Sequence, residues 1–73
     1  MADHTIDARG LSCPEPVLLA RQALQGLASG TIEVLVDTTT SCENVTRMAK
    51  SLGCTVETSE GEGGTWVLSI RKA

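Results

Sequence analysis

Seven residues, 31–37 (TIEVLVD), constrain the fold more than any other stretch of the chain. Ile32, Val34 and Val36 alternate with residues that are mostly polar, which predicts a strand with one apolar face. Leu35, on the opposite face, indicates that this second face is partly covered. Segments with apolar residues at helical spacing precede and follow the strand, so two helices can both pack on its apolar face.

The segment before this strand, residues 14–27, is predicted to be a helix. Its apolar stripe consists of Val17, Ala20, Leu24 and Leu27, widened by Leu18, Leu19 and Ala23. Ser29 and Gly30 follow, and glycine suits the left-handed conformation found beyond a helix C-terminus. We therefore expect the helix to end at this point.

The segment after the strand predicts a second helix. Thr40 and Glu43 fit a capping box, in which a hydroxyl at the N-cap is followed three positions later by a glutamate. Gly53 is the expected C-terminal cap. The apolar stripe of this helix consists of Val45, Met48, Ala49 and Leu52.

Three further strands complete the chain. A short one is predicted at residues 4–8, and two more at residues 55–59 and 65–71, joined as a hairpin by the glycine-rich tip 61–64. The order is β-α-β-α-β-β in one domain, residues 1–73. We expect an α+β fold, a two-layer sandwich with both helices on one face of a four-stranded mixed sheet.

Charge and composition limit the functions open to the chain. Six Lys and Arg against nine Asp and Glu give a net charge of −3, and Trp66 is the sole Trp, Tyr or Phe. Nucleic-acid binding normally uses a basic surface and aromatic stacking, so we expect no direct contact with nucleic acid. No apolar run approaches the about 20 residues that span a bilayer, so no membrane role is expected.

Three cysteines, Cys13, Cys42 and Cys54, are separated by 29 and 12 positions. An odd number of thiols without a signal-peptide pattern is typical of reduced, cytoplasmic proteins. Structural zinc usually needs four ligands and a closely spaced cysteine pair, so we predict no metal and no other cofactor. Cys54, at the start of a strand, is expected in the core.

Cys13 lies directly before two prolines in the sequence LSCPEPV. Proline is tolerated in the first turn of a helix, which places Cys13 at the N-cap, Pro14 at N1 and Pro16 at N3. The helix dipole favours a thiolate there. The prolines, however, remove amide donors, and Glu15 adds a negative charge. We therefore expect the motif to present the thiol rigidly more than to acidify it.

Residues around Cys13 have alternative interpretations. The thiol could itself be a small apolar residue beneath the helix start. Arg9 could pair with Asp7 at the strand end, or could offset Glu15 and stabilise an anionic sulfur. Gly10 is expected to have a positive φ, which would fix the direction in which the thiol points.

Cys42 is predicted near N2 of the second helix. The simpler interpretation is an ordinary residue within the capping box. If both helices begin at the same end of the sheet, Cys42 could instead resolve an oxidised Cys13 as a disulfide. A thiol-disulfide redox module using these two cysteines is therefore an alternative function, and a non-catalytic regulatory or RNA-binding domain is another.

The sequence DARGLSCPEPV, residues 7–17, resembles the signature of the TusA family of sulfur carriers, also called SirA-like. The resemblance covers essentially the whole chain. The matching motif positions are Asp7, Gly10, Leu11, Cys13, Pro14 and Pro16. The sequence VDTTTSCENVTRMAKSLGCTVE, residues 36–57, resembles the YedF-like branch of the family, which is linked to selenium metabolism.

This resemblance implies a stoichiometric carrier, an enzyme only in the loose sense of a sulfurtransferase. Cys13 would accept sulfane sulfur from a cysteine desulfurase-type donor, hold it as a persulfide and pass it to a thiol of an acceptor protein. The route would serve tRNA thiolation or selenium metabolism, and we expect the carrier to be a monomer.

Overall fold

A computed structural model of the chain describes residues 4–11 and 15–72, and it confirms the predicted order of elements. These are β1 (His4–Asp7), α1 (Glu15–Gln25), β2 (Gly30–Val36), α2 (Thr39–Ser51), β3 (Thr55–Glu60), a single 3₁₀ turn (Glu62–Gly64) and β4 (Trp66–Lys72). The helices and strands lie within about two residues of the predicted bounds, which is the usual uncertainty of element ends.

The four strands form one mixed sheet in the order β1-β2-β4-β3. β1 is parallel to β2, whereas β4 is antiparallel to both β2 and β3. The predicted hairpin therefore joins β3 to β4. Because β1 and β2 are parallel neighbours, their carboxyl ends meet at one edge of the sheet, and α1 and α2 both begin there.

Both helices cover the same face of the sheet, as predicted. Cross-strand pairs on this face include Ile32 with Ile70 and Val34 with Leu68, all of them fully buried. The helices contribute buried residues to the same cluster, namely Ala20, Leu24, Cys42, Val45 and Ala49. The opposite face carries mostly polar side chains. The fold is thus a two-layer α+β sandwich with one covered and one open sheet face.

The N-terminus of α2 differs from the prediction. Thr38, with φ −133° and ψ 149°, is the N-cap, and its Oγ1 accepts a hydrogen bond from the Ser41 amide at 3.0 Å. The capping box of Thr40 with Glu43 was therefore wrong. Three consecutive threonines offer the same capping side chain, and the end of β2 at Val36 selects the first of them.

Gly53 ends α2 as predicted. It has φ 81°, and its amide donates to the Lys50 carbonyl at 3.0 Å. The next amide, that of Cys54, donates to the Ala49 carbonyl, also at 3.0 Å. This pair of bonds is the Schellman motif. It turns the chain so that Cys54 enters the core, with 7% of the residue exposed.

The C-terminus of α1 also differs from the prediction. The helix ends at Gln25 rather than Leu27, and Gly30 opens β2 instead of capping the helix. The unpaired carbonyls at a helix end need a donor. Lys72 provides one from the last strand, since its Nζ donates to the carbonyls of Leu24 at 2.7 Å and Leu27 at 2.8 Å.

We predict that Lys72→Met lowers the free energy of unfolding by about 1.5 to 3 kcal/mol, the range for hydrogen bonds to a charged group. Urea denaturation followed by circular dichroism measures this change. The control is Lys50→Met, which also removes one positive charge, in this case from the last turn of α2. It should change the free energy of unfolding by less than about 0.5 kcal/mol. Equal losses in both variants would show that charge alone, and not the bonds of Lys72, stabilises the helix end.

Candidate functional site

The chain leaves β1 through a tight turn at residues 8–10, here called the strand-end turn, which leads to the cysteine-proline motif. The Ala8 amide donates to the Leu35 carbonyl at 2.9 Å and extends the β1-β2 pairing by one bond. Gly10 has the predicted positive φ, 77°. Its amide donates to Oδ2 of Asp37 at 2.9 Å. The turn is therefore tied to the end of β2 at two points.

Of the two roles considered for Arg9, the ion pair with Asp7 is present. Nε of Arg9 donates to Oδ1 of Asp7 and Nη2 donates to Oδ2, each at 2.8 Å, while the Arg9 amide donates to Oδ1 at 3.1 Å. These bonds, with the side-chain pair dominant, lower the pKa of Asp7 to about 2. They also raise the pKa of Arg9. The guanidinium is thus held by the carboxylate two residues before it.

The motif itself is described on both of its flanks. Leu11 is half-buried and packs against the core. On the other side, Glu15 is the exposed first residue of α1, and Pro16 lies fully buried in its first turn. Ser12, Cys13 and Pro14 lie outside the described residues. The position of Cys13 at the N-cap therefore stays a prediction, as does that of Pro14 at N1.

Cys42 lies deeper in α2 than predicted. With Thr38 as the N-cap it is at N4 rather than N2, and 8% of the residue is exposed. Burial raises the pKa of its thiol; a hydrogen bond with Thr46 opposes this rise and the charge of Glu43 adds to it. A thiol with a raised pKa is a poor nucleophile at neutral pH.

The surroundings of Cys42 include the outer strand of the sheet. It lines a groove together with Thr46, Lys50 and Thr58 of β3. α2 lies mainly over β3 and β4, whereas α1 lies over β1 and β2. The groove is therefore on the side of α2 that faces the outer strand. Both helices begin at the same edge of the sheet, which is the condition set above for a resolving role. Cys13 lies outside the described residues, so a resolving role for Cys42 stays a prediction.

Asp37 is the site residue that the sequence analysis missed. The alternation of residues 31–37 placed it on the open face of the strand, but β2 ends at Val36 and the Asp37 carboxylate is bonded to Gly10. The position of Asp37 in the sequence, directly after the predicted strand, could have indicated this contact. An acidic residue directly after one parallel strand is expected to meet the loop that follows its neighbour.

The described part of the chain offers no group of three His, Cys, Asp or Glu that could hold a metal ion. Neither of its helices is long and apolar enough to cross a membrane.

A groove crosses the open sheet face between Thr31, Arg71 and Thr55. Fold and site together define a small α+β protein that presents a short motif at the edge where its two helices begin.

The comparison with protein families identifies this class. A family model described as sulfurtransferase TusA matches residues 4–72. The chain belongs to the TusA family, which confirms the resemblance predicted from its motif. The sulfur carrier protein TusA of Pseudomonas syringae pv. tomato is 32% identical over 71 residues, which cover 96% of this chain and 84% of that protein.

Two further similarities agree with this assignment. The sulfur carrier protein TusA of Allochromatium vinosum is 33% identical over 72 residues, covering 97% of this chain and 95% of that protein. A crystal structure of a SirA-like protein from Desulfitobacterium hafniense superposes with a TM-score of 0.90 at 39% identity, covering 96% of this chain and 97% of that one. The relatives support a sulfur-carrier role.

We predict that the carboxyl carbon of Asp7 titrates in NMR spectra with a pKa of about 2, against an ordinary value of 3.8. In Arg9→Gln the pKa should rise towards 3.8 because the charged donor is lost. The lowered pKa means that the stabilisation from this pair is present above about pH 4 and is lost as the pH falls towards 2. If the pKa of Asp7 stayed near 2 in Arg9→Gln, Arg9 would not be the cause of the shift. Arg21→Gln is the control and should leave the pKa of Asp7 unchanged.

We predict that iodoacetamide alkylates Cys42 slowly. The midpoint of the rise of the alkylation rate with pH should lie above 9.0, the ordinary pKa of a thiol. Peptide mass spectrometry of a Cys13→Ser background separates its rate from that of Cys54. Glu43→Gln should lower the midpoint because it removes a negative charge. An exposed acid on β3, removed in Glu57→Gln, is the control and should leave the midpoint unchanged. A midpoint below 9.0 in the Cys13→Ser background would contradict the covered state of this thiol.

Proposed function

We propose that this chain carries sulfane sulfur as a persulfide on Cys13. It receives the sulfur from a cysteine desulfurase-type donor and delivers it to a thiol of an acceptor protein. The observation that carries the proposal is the anchoring of both flanks of the motif. The strand-end turn is tied to β2 on one side, and Pro16 is buried in the first turn of α1 on the other.

The transfer proceeds by thiol-disulfide-type exchange and needs no external oxidant. The Cys13 thiolate attacks the outer sulfur of the donor persulfide, the S–S bond of the donor breaks, and the donor cysteine leaves as a thiolate. A new S–S bond now holds the sulfur on Cys13. In delivery, an acceptor thiolate attacks the same outer sulfur, and Cys13 is the leaving group.

Cys13 is favoured over the other two thiols by their burial. Cys42 and Cys54 are 8% and 7% exposed, and burial raises the pKa of Cys42. A carrier thiol has to reach two partner proteins in turn, so a covered thiol cannot serve. The motif, in contrast, follows a turn whose Arg9 and Gly10 are exposed.

The family relationship supports sulfur as the cargo, since the relatives are named sulfur carriers. We place the relay in the cytoplasm, where thiols remain reduced. The protein acts as a monomer that docks donor and acceptor in succession, with an acceptor in tRNA thiolation or in selenium metabolism. No cofactor takes part, because exchange between sulfur atoms needs none.

We predict that incubation with a cysteine desulfurase and cysteine adds the mass of about one sulfur atom to Cys13, because its thiolate captures the outer sulfur of the donor persulfide. Intact-mass and peptide mass spectrometry measure the addition, and dithiothreitol should remove it. Cys13→Ser should gain no mass, whereas Cys42→Ser and Cys54→Ser should gain as much as the wild type.

Absence of added mass on the wild type, or its appearance on Cys42, would contradict the proposal. A parallel incubation with selenocysteine separates the two cargoes. Selenium loading with no sulfur loading would overturn sulfur as the cargo.

A further inference from the structure

We propose that Asp37 is a positioning residue for sulfur transfer. Its carboxylate fixes the turn from which the Cys13 segment departs. This inference rests on the proposed function of Cys13 and assigns to Asp37 no contact with the sulfur. It acts through the backbone of Gly10, three residues before the cysteine.

The contact joins two distant parts of the chain. Oδ2 of Asp37 accepts the hydrogen bond of the Gly10 amide at 2.9 Å, across 27 positions of sequence. Asp37 directly follows the last residue of β2 and is itself exposed. The core therefore does not require its carboxylate, which could equally be solvated. The hydrogen bond between the Asp37 carboxylate and the Gly10 amide is therefore not explained by packing of the core.

The neighbouring amides show how completely the turn is held. The amides of Ala8, Arg9 and Gly10 donate to the Leu35 carbonyl, the Asp7 carboxylate and the Asp37 carboxylate respectively. The β1-β2 ladder supplies only the first of these acceptors. The next two are side chains at the ends of the two parallel strands, so three successive amides are bonded before the chain enters the motif.

Gly10 is the point where this restraint matters most. Its φ of 77° lies in the left-handed region, and a Cβ at this position would meet nothing within 4 Å. Glycine is therefore required by backbone conformation and not by lack of space. The same freedom lets an unrestrained glycine sample many directions. The bond to Asp37 selects one of them and thereby sets the path towards Cys13.

A merely structural role and a positioning role predict different results. If Asp37 only stabilised the fold, its loss would lower the midpoint of thermal unfolding without slowing transfer at temperatures where the variant is folded. If it positions the turn, its loss should free the Gly10 amide from its hydrogen bond and slow the loading of Cys13 with sulfur from the donor. The acceptor is one oxygen atom, so an amide side chain should replace the carboxylate.

The test compares Asp37→Ala, Asp37→Asn and the control Glu33→Ala, which removes a carboxylate from the open face of β2, the strand that Asp37 follows. Hydrogen exchange of the Gly10 amide by NMR and the kcat and KM of desulfurase-dependent loading of Cys13 are measured well below the unfolding midpoint. Asp37→Ala should speed exchange at Gly10 and lower kcat/KM, each by roughly fivefold to tenfold, the scale of one lost hydrogen bond. Asp37→Asn should return both values to within about twofold of the wild type, and Glu33→Ala should leave them unchanged.

Wild-type loading kinetics in Asp37→Ala would overturn the proposal. So would an Asp37→Asn variant as slow as Asp37→Ala, since charge and not the hydrogen bond would then be responsible. If the wild type itself accepts no sulfur, the proposed function fails, and the positioning role in transfer fails with it. If the wild type loads normally and the Asp37 variants match it, the positioning role alone fails.

Discussion

The parallel pairing of β1 with β2 is the interaction on which the rest of the structure depends. It brings the carboxyl ends of both strands to one edge, where α1 and α2 begin. The same pairing places the Leu35 carbonyl and the Asp37 carboxylate beside the chain that leaves β1. The placement of the two helices and the shape of the turn before the motif therefore both follow from the pairing of β1 with β2.

The chemistry of the site follows from how this edge treats its charges and its thiols. Asp7 and Asp37 serve as acceptors for backbone amides, and Arg9 is paired with Asp7. These groups hold the backbone of the turn that leads to the motif. Cys42 and Cys54 are covered. The burial of these two thiols supports the proposal that Cys13 is the cysteine that meets other proteins.

Much of the fold could be predicted from local pattern. The alternation of 31–37 gave the correct buried face of β2, and Gly53 ended α2 because only a left-handed residue closes a Schellman motif. The errors arose where several residues offered the same local chemistry. Thr40 was as good an N-cap as Thr38 by residue type, and the end of β2 decided between them. Gly30 suited a helix cap by type but begins β2.

The sequence by itself determined the two amphipathic helices, the strands and the motif around Cys13, since each depends on residues close in the chain. Only the tertiary structure decided which distant groups meet. Lys72 binds the end of α1 across 48 positions, and Asp37 binds Gly10 across 27. A hydrogen bond of this kind leaves no period in the sequence, because its two partners become neighbours only after the strands have paired.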